Sequence, residues 1–274
     1  MSLPGVLLPE ASAVDARDVI ASLRVEGFAR VGRVIDEPLL AVLRERADQI
    51  MLGERTIPGL FFQHDAASGR YEDLPYGEGW VGPSRSYRKI EKLERDEAFR
   101  ALIENALFER LVRAVLPGEV TLYRAVLFNK APKASSPLPW HQDGGRFWGL
   151  DRDPEIQIWT ALDDAPPHGG CLEVLPRSHL GGLATPLGGV VPREHLDRER
   201  ADARAVQLPA RAGEVILIHN MLWHRSGPNE GDAPRRAFTV CYLDAATRCL
   251  RTKRAPRRFE PVFARAERGP NTPE

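Results

Sequence analysis

The apolar positions of this chain change their period part-way along it. Within residues 15–25 they fall at Val19, Ile20 and Leu23, the spacing of one helical face, and residues 28–35 then alternate in the short, β-branched manner of a strand. Asp36 followed by Pro38 has the form of an N-cap with proline in the first turn, which predicts a helix to about residue 51. A second helix is predicted over 97–115, capped by Asp96 and ended by Pro117 and Gly118. From there to Asp244 short apolar runs between Gly and Pro turns predict strands over 120–128, 156–162, 171–175, 215–219 and 236–243, with a charged helix over 193–204. A helical start followed by many short strands predicts a mainly β barrel or sandwich with helices packed outside.

Residues 53–83 break both periods. They hold many Gly and Pro residues together with Phe61, Phe62, Tyr71, Tyr76 and Trp80, a loop too long for a plain connection. A mobile cover over a pocket and an irregular surface insertion both fit that composition.

The 274 residues suit one domain, 1–274, divided into a helical N-terminal part (1–118), a β core (about 119–245) and a basic tail (248–274). Lys plus Arg and Asp plus Glu are equal at 38 each, which argues against nucleic acid or a membrane surface as partner. The tail concentrates Arg248, Arg251, Lys253, Arg254, Arg257, Arg258, Arg265 and Arg268, as a solvated surface or as a patch for an anionic substrate. Cys171 and Cys241 lie in apolar runs and Cys249 completes an odd set of three, so buried reduced thiols are expected rather than a disulfide scaffold. With no basic, apolar leader at the start and no long apolar window, a cytoplasmic location is expected.

Candidate chemistry lies in two segments. In Trp140-His141-Gln142-Asp143-Gly144-Gly145 the His and Asp stand two apart in extended context, where both project to one side. A second His-x-Asp, His195 and Asp197, falls in the predicted charged helix, where residues two apart diverge by about 200° and cannot share a metal. His224, opening the run to Arg235, supplies a third ligand and is preferred to His219, which ends an apolar strand. Two imidazoles and one carboxylate on one face leave positions open, the donor set of a non-haem iron site that reacts with oxygen and a chelating co-substrate.

Several short motifs keep their order and spacing between Lys89 and Asp244. They are Asn129-Lys130-Ala131-Pro132, Pro139-Trp140-His141-Gln142-Asp143, Trp159-Thr160-Ala161-Leu162, Gly169-Gly170-Cys171-Leu172-Glu173-Val174-Leu175-Pro176, Ser178-His179, and His224 to Arg235. On these the chain resembles the phytanoyl-CoA hydroxylase (phytanoyl-CoA dioxygenase) family of Fe(II)- and 2-oxoglutarate-dependent oxygenases. The resemblance implies a double-stranded β-helix (jelly roll, cupin-like) core, with flanking N-terminal α-helices, and iron held by His141, Asp143 and His224. It also implies 2-oxoglutarate bound by Arg235 and Ser226, with Trp159 and Lys89 beside it. An Arg suits a carboxylate, since its fork binds both oxygens and keeps its charge. Arg236 is the rival of Arg235, facing the other side of the same strand, and Arg88 and Lys92 flank Lys89. Arg177 stands where the family usually has Gly in Pro-Gly-Ser-His, which bears on the turn there.

The expected activity is hydroxylation of an unactivated carbon of a small organic substrate by O2 and 2-oxoglutarate, releasing succinate and CO2, with ascorbate as a reductant for the iron. The carboxylate ligand Asp143 favours hydroxylation over halogenation. Two other classes fit less of the chain: a zinc hydrolase with the same three ligands, which leaves Arg235 idle, and a silent oxoacid-binding protein.

Overall fold

Polar side chains set the helix starts. The computed structural model describes residues 10–77, 79–133, 135–252 and 257–264. After a short α1 (Glu10–Ala13), Asp15 caps α2 (Ala16–Glu26) and Gly27, in the left-handed region, closes it into β1 (Phe28–Arg33). Asp36 accepts from Leu39 N at 3.0 Å to start α3 (Glu37–Leu52), as the proline signal predicts.

The next helix differs from expectation. Residues 97–115 form two helices, α4 (Glu97–Ile103) and α5 (Ala106–Arg113), because Asn105 both donates to Leu102 O and accepts from Phe108 N. One side chain thus terminates the first helix and caps the second.

The 53–83 segment is also not a plain loop: it contains β2 (Phe61–His64), which pairs with β3 (Tyr87–Glu91). Then follow β4 (Val120–Lys130), β5 (Leu138–Gln142), β6 (Ile156–Ala161), β7 (Leu172–Val174), β8 (Gly189–Val190), α6 (Arg193–Glu199), α7 (Ala201–Arg204), β9 (Val206–Leu208), β10 (Glu214–Ile218), β11 (His224–Ser226), β12 (Arg235–Asp244) and β13 (Glu260–Phe263).

Among the described residues the larger sheet runs β1-β10-β6-β12-β4-β3-β2, with β13 also on β4, and the smaller runs β8-β5-β11-β7-β9. All pairings are antiparallel, and the two sheets form the double-stranded β-helix. The larger sheet therefore reaches outside the expected 119–245 core at both ends. The basic tail contributes β13; Lys253, Arg254, Arg265 and Arg268 lie outside the described residues.

Strand alternation sorts the larger sheet into two faces. Ile158, Val215, Leu217, Phe238, Val240 and Tyr242 join the helical core with Leu39, Leu43, Phe99 and Phe108, while Trp159, Ile216, Ile218 and Ala237 pack between the sheets. Cys171 and Cys241 are buried free thiols, as expected, and Cys249 is free and half-buried. Among the described residues no helix is long and apolar enough to cross a membrane.

Candidate metal centre

His141 and His224 are direct partners across the β5–β11 pairing, so backbone register alone brings the two rings together, with centroids 4.0 Å apart. In each the Nδ1 is engaged by a carbonyl two residues earlier, Pro139 O and Leu222 O, both at 2.9 Å. That contact assigns the proton to Nδ1 and leaves Nε2 as the free lone pair, the form a metal requires. Burial, with His224 alongside, lowers His141 to a pKa of about 3, so its ring is neutral.

Asp143 completes the group just past the end of β5. Its oxygens lie 3.9 Å from His141 Nε2 and 3.5 Å from His224 Nε2, and the ligand atoms of all three residues fall within 4.8 Å of one another. Asn220 holds the backbone here: its O accepts from Asp143 N at 2.9 Å and its Nδ2 donates to Asp143 O at 3.0 Å. Arg124 Nη2 reaches Oδ1 at 3.1 Å and Gln157 Nε2 reaches Oδ2 at 2.8 Å. Burial alone would raise the carboxyl's pKa, but the Arg124 guanidinium beside it outweighs burial and holds Asp143 well below the usual carboxylate range. Both imidazoles offer a free Nε2 beside a permanently ionised carboxylate, so the donor set fits a divalent transition metal.

A cavity leads from these three residues to Arg235, and Ser226 and Trp159 also line it. Arg235 is buried, its pKa pulled down by burial to about 10, and its Nε has no partner. A charged, unpartnered guanidinium facing a cavity fits a carboxylate. Arg236 takes the opposite face, as alternation requires, and donates to Asp163 at 2.7 Å and Asp48 at 2.9 Å. His219 lies off the cavity wall against the His179 ring, and burial takes its pKa to about 4. His195 and Asp197 sit on α6, as expected.

Lys89 is not brought to the cavity. Its ammonium is 2.7 Å from Glu91 and 5.5 Å over the Phe61 ring. Arg88 lines the wall instead, because the β2–β3 register jumps from Gln63↔Lys89 to His64↔Tyr87 and leaves Arg88 as the extra, bulged residue. Lys130, directly opposite Arg235 in the β4–β12 pairing, also lines that wall. Burial, reinforced by Arg235 and Arg88, lowers Lys130 to a pKa of about 6.

The aromatic residues of 53–83 do not form a cover. Phe61 meets Tyr76, Phe62 meets Tyr87, and Trp80 Nε1 donates to Met51 O at 3.2 Å. Among the described residues of that segment Asp65 lines the cavity, accepting from Ser136 N at 3.1 Å. Sequence reasoning missed Arg124, Gln157, Asn220 and Asp65; a charge or amide inside an apolar strand was the available signal for the first two.

The phytanoyl-CoA dioxygenase (PhyH) family pattern matches residues 23–237. The chain belongs to this family. A phytanoyl-CoA dioxygenase domain-containing protein 1 from Danio rerio is 32% identical over 255 residues, covering 89% of this chain and 85% of that protein. Its Bos taurus counterpart is 28% identical over 179 residues, and the match spans only 62% of either protein. The crystal structure of EctD from S. alaskensis with 2-oxoglutarate and 5-hydroxyectoine superposes with a TM-score of 0.70 at 22% identity, covering 94% of this chain and 88% of that one, which supports the fold. The family's usual Gly before Ser-His is Arg177 here, held at φ 67 in the left-handed region, so the turn keeps the glycine conformation without the glycine.

Proposed function

We propose that the chain is an Fe(II)- and 2-oxoglutarate-dependent dioxygenase that hydroxylates an unactivated carbon of a small organic substrate, releasing succinate and CO2. The carrying observation is the pairing of a facial His141–Asp143–His224 donor set with a buried, unpartnered Arg235 along one cavity. Iron bound there supplies the oxidative decarboxylation of the oxoacid and the oxidation of the substrate carbon. The chain's residues do the rest. His141 and His224 present fixed Nε2 atoms, Asp143 presents an ionised oxygen, and Arg235 with Ser226 holds the distal carboxylate and so orients the keto acid end toward the ligands. Trp159 and Leu172 give that path apolar walls that exclude water.

The zinc hydrolase reading has less support, because Asp65, the cavity carboxylate other than Asp143, is spent on Ser136 N and Ala66 N. Free thiols fit a reducing compartment, for which we keep the cytoplasm. The test is succinate formation by the purified chain with Fe(II), ascorbate and 2-oxoglutarate. His141→Ala, Asp143→Ala and His224→Ala should each abolish it. Full turnover in any of them, or equal turnover with zinc alone, would remove the reading, and oxoacid binding without succinate would favour the silent binder.

A further inference from the structure

Arg124 lies behind the ligands and has no part in the chemistry above. Its guanidinium, on an 18%-exposed side chain, donates to Asp143 Oδ1 and lies 4.4 Å over the Trp148 ring. Trp148 in turn stacks on Tyr123, with centroids 4.5 Å apart and planes 13° from parallel. Arg124 Nε has no partner, so its position is set by the carboxylate and the indole face rather than by a wider hydrogen-bond network. Gln157 would suffice to orient the carboxylate; what Arg124 adds is a charge.

That charge alters the site. With both imidazoles in the neutral form that a metal requires, the three ligands carry a net charge of minus one, whereas with Arg124 the group is neutral. Glu91 also acts on Arg124, but it is paired with Lys89 at 2.7 Å and does not cancel it. Like charges a few ångströms apart in a buried site repel far more strongly than one hydrogen bond attracts. We propose that Arg124 is a positioning residue that sets the metal affinity of the site: acting through Asp143, its fixed positive charge makes the three ligands bind a divalent cation more weakly than they would without it. The proposal rests on the metal-site reading above.

The test is calorimetric titration of Mn(II) into the full chain near neutral pH, with and without saturating 2-oxoglutarate, with manganese electron paramagnetic resonance as a second readout. Arg124→Gln should bind Mn(II) at least about tenfold tighter than wild type both with and without 2-oxoglutarate. Arg124→Lys, which keeps the charge, should stay near wild type. A folded Arg124→Gln protein whose Mn(II) affinity equals that of the wild type overturns the proposal. So does an Arg124→Gln protein that binds no tighter than Arg124→Lys. His141→Ala separates the two levels: wild-type uptake no greater than in that variant would mean that there is no metal site, and the role of Arg124 would fall with it.

Discussion

The two sheets hold their residues by different means. The larger has strands of eleven and ten residues in β4 and β12, backed by helices and a continuous apolar core. In the smaller sheet β5 has five residues and β7, β9 and β11 three each, with Trp140, Leu175, Val191, Ala201 and Trp223 as a small outer cluster. Polar side chains supplement it: Gln142 donates to Gly182 O at 2.8 Å and accepts from Ala184 N at 2.7 Å, while Ser178 accepts from Trp223 N at 2.9 Å. His141 and His224 belong to the smaller sheet, Arg235 and Trp159 to the larger. A long, apolar-backed strand can aim a side chain by register alone. A short one must be tied at each end by hydrogen bonds, which places amides next to the metal ligands.

The contrast can be broken most directly by cutting each kind of support. Phe238→Ala, in the fully buried contact with Phe99, should cost about 3–5 kcal/mol of stability in urea unfolding and leave Mn(II) affinity of the folded protein unchanged. Gln142→Ala should cost only about 1–3 kcal/mol yet weaken Mn(II) binding. If both variants weaken the metal equally, the division between the sheets is wrong.

Register as the aiming device is tested within β12. Arg235→Gln should lose about 1.5–3 kcal/mol of 2-oxoglutarate binding, measured by calorimetry with Mn(II). Arg236→Gln should spare that binding and instead lower the unfolding midpoint, since Asp163 and Asp48 lose their partner. A larger binding loss at Arg236 would shift the strand by one residue.

Lys130 sharpens the same comparison through pH. Its pKa is 10.5 unfolded and about 6 folded, so between these values the unfolded chain holds the extra proton and stability rises with pH. Relative to Lys130→Met, the wild type should gain about 1.4 kcal/mol per pH unit in that window and nothing below it. Urea midpoints at stepped pH decide this; parallel profiles for the two proteins would mean that Lys130 stays charged beside Arg235 and Arg88.

The smallest effect is expected at the turn beyond β7. Arg177→Gly should raise stability by about 0.5–1 kcal/mol, as relief of the left-handed strain exceeds the entropy that Gly adds to the unfolded chain. A loss of stability would show that Arg177 earns its place through contacts of its side chain.

The signals that could be read in the sequence were local. Asp36 and Asp96 cap the helices they were expected to cap, because an N-cap needs only its own next three residues. His141 and Asp143 were legible as a pair because extended backbone aims them together, while the period of two in β12 put Arg235 and Arg236 on opposite faces and only the family resemblance favoured Arg235. The break at Asn105 was missed although its cap is local, since 97–115 remains apolar and periodic across it.

What the chain by itself determined, then, was the class of fold and a short set of candidates: His141 and Asp143 through local spacing, His224 and the anchor Arg235 through the order of motifs that the family resemblance rests on. Tertiary structure decided which side chains surround them. The bulge that leaves Arg88 on the cavity wall, the arrival of Asp65 at Ser136, the return of β13 to β4, and the convergence of Arg124, Gln157 and Asn220 on Asp143 join residues at least 14 positions apart. No local period encodes such meetings, because they depend on how strands pair across the sheets and on which buried polar groups must find one another once water is excluded.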